Sequence, residues 1–190
     1  MGLRDIILGR TKAVAPNLDN LFALPAAGLT LESRLDLVTS GVAGLCFKAG
    51  SGGRTLESEA DMRDLLSLDS DDHAFSLTHD DLGFTWVVIN DPTLDGQVTK
   101  VHGANLSLVD HELGDRLLCA VFGFKPVGTD EGPLRLVYLM KQGTFYPFAQ
   151  RGAQNRDNEF ELRVKSFLTG ELSLEPDLAR WMALWDAPIV

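Results

Sequence analysis

The sequence predicts an α+β fold. An antiparallel sheet built of hairpins is flanked by helices, in a single compact domain with further helices at its C-terminal end. Three observations carry that expectation. Apolar runs of strand length come in pairs across short turns, at Asp80-Asp81-Leu82-Gly83 and at Lys141-Gln142-Gly143. Stripes of apolar residues at helical spacing fall before, between and after those pairs rather than alternating strictly with single strands, which argues against a parallel β-α-β arrangement. With 45% apolar residues in 190, the chain has enough material for a substantial core and too much for disorder.

Taken in order, residues 1–16 read as an amphipathic segment and linker, and 17–190 as the α+β domain. Leu3, Ile6 and Ile7 share one side of one or two helical turns, and Gly9 to Pro16 links them to the rest. Asn17 is an N-cap for a short helix carrying Leu18, Leu21 and Phe22, and Pro25 is expected to end it. Leu35 to Val38 and Val42 to Ala49 read as strands, with a bulge or bend at Gly41 and Gly44. After the Gly50-Ser51-Gly52-Gly53 loop, Thr55 caps a helix through Leu56, Ala60, Leu65 and Leu66 that fades at Asp69 to Asp72.

Phe75 to Thr78 and Phe84 to Ile89 form the first hairpin. The run FTWVVIN is apolar at nearly every position, as in a strand covered on both faces or open to a partner on one. Asp91-Pro92-Thr93 starts the longest helix, with Leu94, Val98, Val101, Asn105, Leu108 and Val109 at helical spacing and Gly114 as its stop. Leu117 to Phe122 is the next strand. Leu134 to Met140 and Thr144 to Ala149 form the second hairpin, whose turn suits a type I turn with a glycine bulge. Pro147 has no N–H for a ladder and marks Thr144 to Ala149 as an edge strand. Asn158 and Glu161 have capping-box spacing ahead of Phe160, Val164, Phe167 and Leu168, which Gly170 closes. Glu175-Pro176-Asp177 is expected to open a last helix, striped by Leu178, Trp181, Met182 and Trp185.

Charge and motif content exclude several functions. Seventeen basic against 27 acidic side chains give a net charge of −10, the wrong sign for a general nucleic-acid footprint. Residues 57–81 concentrate the acid, whereas Arg4, Arg10 and Lys12 make the first twelve residues basic, suiting them to an anionic membrane surface or an acidic partner. No stretch approaches the roughly 20 apolar residues of a membrane-spanning helix. The N-terminus lacks a signal-peptide pattern, and Ile6 breaks the myristoylation pattern after Gly2. A cytoplasmic protein, with peripheral contact at the inner membrane face through residues 1–12, is the expectation.

There is no phosphate-binding loop, dinucleotide fingerprint or nucleophile elbow. His73, His79, His102 and His111 never pair at metal-ligand spacing, so no metal and no cofactor is expected. Asp80 and Asp81 are read as turn residues rather than paired catalytic carboxylates. His102 and Asn105 lie beside or in the apolar stripe of the long helix and need hydrogen-bond partners there. Cys46 and Cys119 sit in apolar runs and read as a reduced, buried pair, with a disulfide conceivable only if their strands are neighbours. The enzymatic alternative is a nucleophile pair or small-molecule site at His102 and Cys119. Alternation along the second hairpin puts Phe145 opposite Tyr146, so at least one of the two is expected to leave the core. The candidate partner-binding residues are Tyr138, Lys141, Phe145, Tyr146 and Phe148, because aromatic anchors carry most interface energy. Lys141, Arg151 and Arg156 near them would meet a phosphate, a lipid headgroup or an acidic partner equally well. The plain alternative is a hairpin whose apolar side packs in the core.

The segments MGLRDIILGRTKAVAPNLDNLFALPAA, LRLVYLMKQGTFYPFA, RDNEFELRVK and EPDLARWMALWDAP resemble the actinobacterial PspA-associated family called PspAB, across both ends and the middle of the chain. That resemblance implies a non-catalytic accessory or adaptor protein, associated by protein–protein contact with PspA, the phage-shock protein that protects stressed membranes. It carries over no catalytic residue and no cofactor. The order of elements is also similar to secretion-chaperone and YbjN-like proteins, which implies a chaperone-like dimer with an apolar patch on its sheet or last helix as a further alternative.

Overall fold

The computed structural model describes residues 18–48, 75–80, 82–110, 114–128, 130–152 and 154–189. The basic segment 1–12, the linker, the expected helix over 56–66, Asp81, His73 and His111 lie outside them. Among the described residues, three helices and six strands build an α+β fold: α1 (Leu24–Leu35), β1 (Leu37–Lys48), β2 (Phe75–His79), β3 (Phe84–Asn90), α2 (Leu94–Asp110), β4 (Leu117–Pro126), β5 (Leu134–Leu139), β6 (Thr144–Ala149) and α3 (Asn158–Leu168).

The sheet is antiparallel throughout, with order β2-β3-β1-β4-β5-β6. FTWVVIN is β3, paired on both sides as its apolar run implied. The two segments expected on either side of Gly41 are one long strand, β1. Its register against β4 slips between Thr39 and Ala43, and Gly41 bends the chain at φ +87°, a conformation glycine adopts without a Cβ penalty.

Pro25 does not end a helix. It occupies the first turn of α1, where a missing N–H costs nothing, and the helix runs ten residues past it. Gly28, inside α1, lets Leu94 approach: a Cβ there would lie 2.3 Å from Leu94 Cδ1. Before α2, the Thr93 hydroxyl accepts from Gly96 N at 3.1 Å, and Asp91 accepts from both Thr93 N and Lys100 Nζ. The cap of α3 is Asp157, one residue earlier than the expected Asn158. Its carboxylate accepts from Phe160 N, which frees Glu161 for a different task.

The three helices cover one sheet face. Leu24, Ala27 and Leu31 of α1, Val98, Val101 and Leu108 of α2, and Phe160, Val164 and Leu168 of α3 bury with Leu45, Phe47, Phe122, Tyr138 and Phe145. The expected last helix does not form. After a single 3-10 turn at Leu178–Arg180, the chain runs as an irregular strap over residues 181–189, across the opposite face. Trp181, Ala187 and Ile189 bury there with Cys46, Trp86, Cys119, Val121, Val137, Tyr146 and Phe148. At about 25 cal/mol per Å², the Trp181 and Ile189 side chains each gain on the order of 2 kcal/mol or more from that burial, enough to order a segment without strand pairing.

Candidate interaction surface

The β6 edge begins the construction. Pro147 leaves it without a ladder donor, and the chain after α3 closes the other end: Phe145 N donates to Ser173 O at 2.7 Å and Glu175 N to Phe145 O at 2.8 Å. Glu175 is buried, and its carboxylate accepts from Thr144 Oγ1 at 2.7 Å and from Asp177 N at 3.0 Å. Its carbonyl accepts from Trp181 Nε1 at 3.1 Å. One carboxylate and one parallel bridge thus fix the point where the strap starts.

Side chains then hold the strap by its carbonyls. Tyr146 Oη donates to Met182 O at 3.0 Å, with its ring stacked on Trp181 at 5.9 Å between centroids. Trp185 meets the Phe148 ring edge-on at 5.1 Å. Buried Arg135 donates through Nε to Ile189 O. Gly44 makes room for the Ile189 side chain, because a Cβ there would lie 2.5 Å from Ile189 Cδ1.

Arg156 is the centre of this arrangement. Its Nε donates to both Glu161 oxygens, at 2.6 and 2.7 Å, its Nη1 donates to Trp181 O, and its guanidinium lies over Phe148 at 5.4 Å. Glu161, buried beside Phe160, also accepts from Ala149 N at 2.9 Å. Burial pushes the Glu161 carboxyl up from its ordinary value, and the Arg156 and Ala149 hydrogen bonds oppose that rise. Burial likewise raises the Tyr146 hydroxyl, which therefore stays a donor to Met182.

Above the Arg156–Glu161 pair, Asn158, Leu162, Leu178 and Trp181 complete a groove of about 250 Å³. Its rim is apolar and open: Leu162 is 51% exposed, Leu178 56%, and Met182 on the adjoining strap 62%. With the guanidinium neutralised beneath it, the groove suits the apolar side chains of a partner, framed by polar groups.

The sequence-predicted anchors sit underneath this surface rather than on it. Tyr138 and Phe145 pack against each other at 4.6 Å on the helix side, and Tyr146 and Phe148 lie on the strap side; all four are buried. Phe145 and Tyr146 do point to opposite faces, but neither leaves the core, because the strap turns the second face into interior too. Lys141 alone of the five is exposed, on the β5–β6 turn. Gly143, at φ +68°, ends that turn as its sequence required. Arg156 is taken up by Glu161, which removes it as a free phosphate-gripping group, whereas Arg151 remains exposed with Asp157 at 3.8 Å. The sheet face a chaperone-like dimer would use is the one the strap covers.

His102 and Cys119 do not meet. Cys119 faces the strap, whereas His102 rides on α2 across the sheet, with its ring 5.3 Å from Phe22. Among the described residues, buried His102 Nδ1 and Asn105 Oδ1 find none of the hydrogen-bond partners their positions called for. Asp80 does turn work, accepting from Leu82 N, Phe84 N and Trp86 Nε1. Among the described residues no three His, Cys, Asp or Glu side chains gather as a metal site, and no helix is long and apolar enough to cross a membrane.

Sequence reasoning overlooked Arg135 and Ile189, and it gave other roles to Gly44 (a bulge), Arg156 (an anion grip) and Glu161 (a capping box). One signal was present: Glu161 adjoins the apolar stripe of α3 with Arg156 five residues earlier, and a carboxylate buried there needs a cation. The family model for PspAB, described as PspA associated protein B, matches residues 1–189. No curated protein and no solved structure matches the chain.

Proposed function

The chain belongs to the PspA associated protein B family, and from that membership we propose that it is a non-catalytic adaptor of the phage-shock envelope-stress response, acting by direct contact with a PspA-type partner. The family match over 1–189 is the observation that carries this reading. The groove supplies the contact surface: exposed Leu162 and Leu178, with Met182 beside them, over buried Trp181, held by the pair of half-buried Arg156 and buried Glu161 and by the stacked Tyr146–Trp181 pair. Tyr146 and Phe148 then serve binding indirectly, by setting the height and orientation of the strap. Lys141, exposed on the β5–β6 turn, adds a positive charge outside the groove.

The adaptor works in the cytoplasm, and its basic residues 1–12 bring it to the anionic inner membrane face when PspA is there. Titrating purified PspA-type protein into the full chain, with and without anionic liposomes, tests this directly. Saturable binding in either condition supports the adaptor; no binding in both rejects it. Liposome sedimentation with and without residues 1–12 tests the membrane contact separately.

A further inference from the structure

The two cysteines face each other. Cys46 of β1 and Cys119 of β4 are direct partners in the antiparallel register, both side chains point to the strap side, and both are free thiols. Residues directly opposed on antiparallel strands have Cα atoms about 4.5–5.5 Å apart, within the roughly 4.4–6.8 Å that a disulfide spans. The register slips immediately afterwards, with Phe47 opposite Leu117, so Leu118 is an extra residue beside the pair. Such a bulge loosens the ladder locally and lets the strands adjust.

We propose that Cys46 and Cys119 are a dithiol–disulfide modification site, oxidised by a peroxide or a low-molecular-weight disulfide, that locks β1 to β4 and is gated by the strap. With hydrogen peroxide, one thiolate attacks a peroxide oxygen. The O–O bond breaks, a sulfenic acid forms and, with a proton, the first water leaves. The second thiolate attacks the sulfenic sulfur, the S–S bond forms and the S–O bond breaks; the departing hydroxide takes a proton and leaves as the second water. Two thiols and one peroxide thus become one disulfide and two waters.

The gate follows from position. Cys46 is 3% and Cys119 7% exposed. Gly44, two residues before Cys46 on the same face, lies against Ile189, and Trp86, the β3 neighbour of Cys46, lines a cavity with Asp186 and Pro188 of the strap. The hydrogen bond that the Cys46 thiol donates to Cys119, together with burial, pushes that thiol up, which keeps its thiolate scarce while the strap is down. The strap makes no strand pairing, and elements held by few backbone bonds open locally ahead of global unfolding. The site stands independently of the adaptor reading.

The test is exposure of the purified full chain to hydrogen peroxide, followed by acid quench, alkylation, intact mass and peptide mapping. The expected product has lost two hydrogens, joins the peptides containing Cys46 and Cys119, and returns to the dithiol with a thiol reductant. Ile189→Ala, which lightens the strap, should oxidise several-fold faster. Cys46→Ala and Cys119→Ala, checked for native circular dichroism, should each yield a dimedone-trapped sulfenic acid and no intramolecular crosslink. Intermolecular dimers alone, or intact thiols in both wild type and Ile189→Ala, would overturn the couple; a crosslink formed at the same rate in Ile189→Ala would overturn the gate.

Discussion

The Tyr146 hydroxyl donates to the Met182 carbonyl at 3.0 Å while its ring stacks on Trp181. A core aromatic of the edge strand is thereby the peg that fixes an irregular segment. Tyr146→Phe keeps the stacking and removes the hydrogen bond, leaving the Met182 carbonyl without its donor. The expected cost is about 1–3 kcal/mol, measured by urea unfolding, with amide exchange accelerated in 181–189 and unchanged in α2.

The Arg156–Glu161 pair should be the most sensitive point of the scaffold. Arg156→Met leaves a buried carboxylate without its cation and the Trp181 carbonyl without its donor, an expected loss of roughly 3–5 kcal/mol near pH 7. Arg156→Met/Glu161→Leu should recover much of it. The pH dependence has a definite sign. The folded-state Glu161 carboxyl is raised by burial, so its contribution is most favourable below the ordinary glutamate value and is lost as pH rises through the folded one. Removing Arg156 raises it further, so the deficit of Arg156→Met should shrink on acidification toward about pH 5. Denaturant midpoints across that range check it.

Gly44 and Ile189 should couple. Gly44→Ala puts a methyl into the Ile189 side chain and should cost about 1–3 kcal/mol. Ile189→Ala alone should cost about 2–5 kcal/mol, and the double variant less than the sum. Thermal melts followed by tryptophan fluorescence decide it; strict additivity would mean that the two side chains do not share the space.

Asp91 supplies a second pH signature. Burial alone would raise its carboxyl; the hydrogen bonds from Lys100 and Thr93 outweigh that and hold it below the ordinary carboxylate value. Its contribution is therefore present above the unfolded value and lost as pH falls through the folded one. Asp91→Asn removes the charge that pairs with Lys100 and should cost about 0.2–1 kcal/mol at neutral pH, with the difference from wild type closing on acidification below about pH 4.

The sheet was legible in the sequence because hairpins advertise themselves: Gly83 and Gly143 end turns between apolar runs, and Pro147 declared an edge. The long helix was legible because Leu94 to Leu108 keeps one period under a Thr93 cap. The failures share a cause. Pro25 reads equally as a stop or as a first-turn residue, and only Leu31 and Leu35 packing on the sheet decides for the latter. Leu178, Trp181, Met182 and Trp185 have helical spacing, but Trp181 and Trp185 gain more by lying on Tyr146 and Phe148 than a short helix would offer. The burial of both Phe145 and Tyr146, and hence the shift of the candidate surface from the hairpin to Leu178 and Met182, depends on that tertiary choice. Periodicity within one segment carries no information about it.

The most direct test of the adaptor surface is the affinity of a purified PspA-type protein for wild type and for Leu178→Asp/Met182→Asp, read by isothermal titration. Both side chains are exposed, so the variant should keep the wild-type unfolding midpoint. The account predicts a saturable wild-type complex weakened at least about tenfold by the double substitution, a loss of about 1.4 kcal/mol or more. Equal affinity for the two proteins would contradict it.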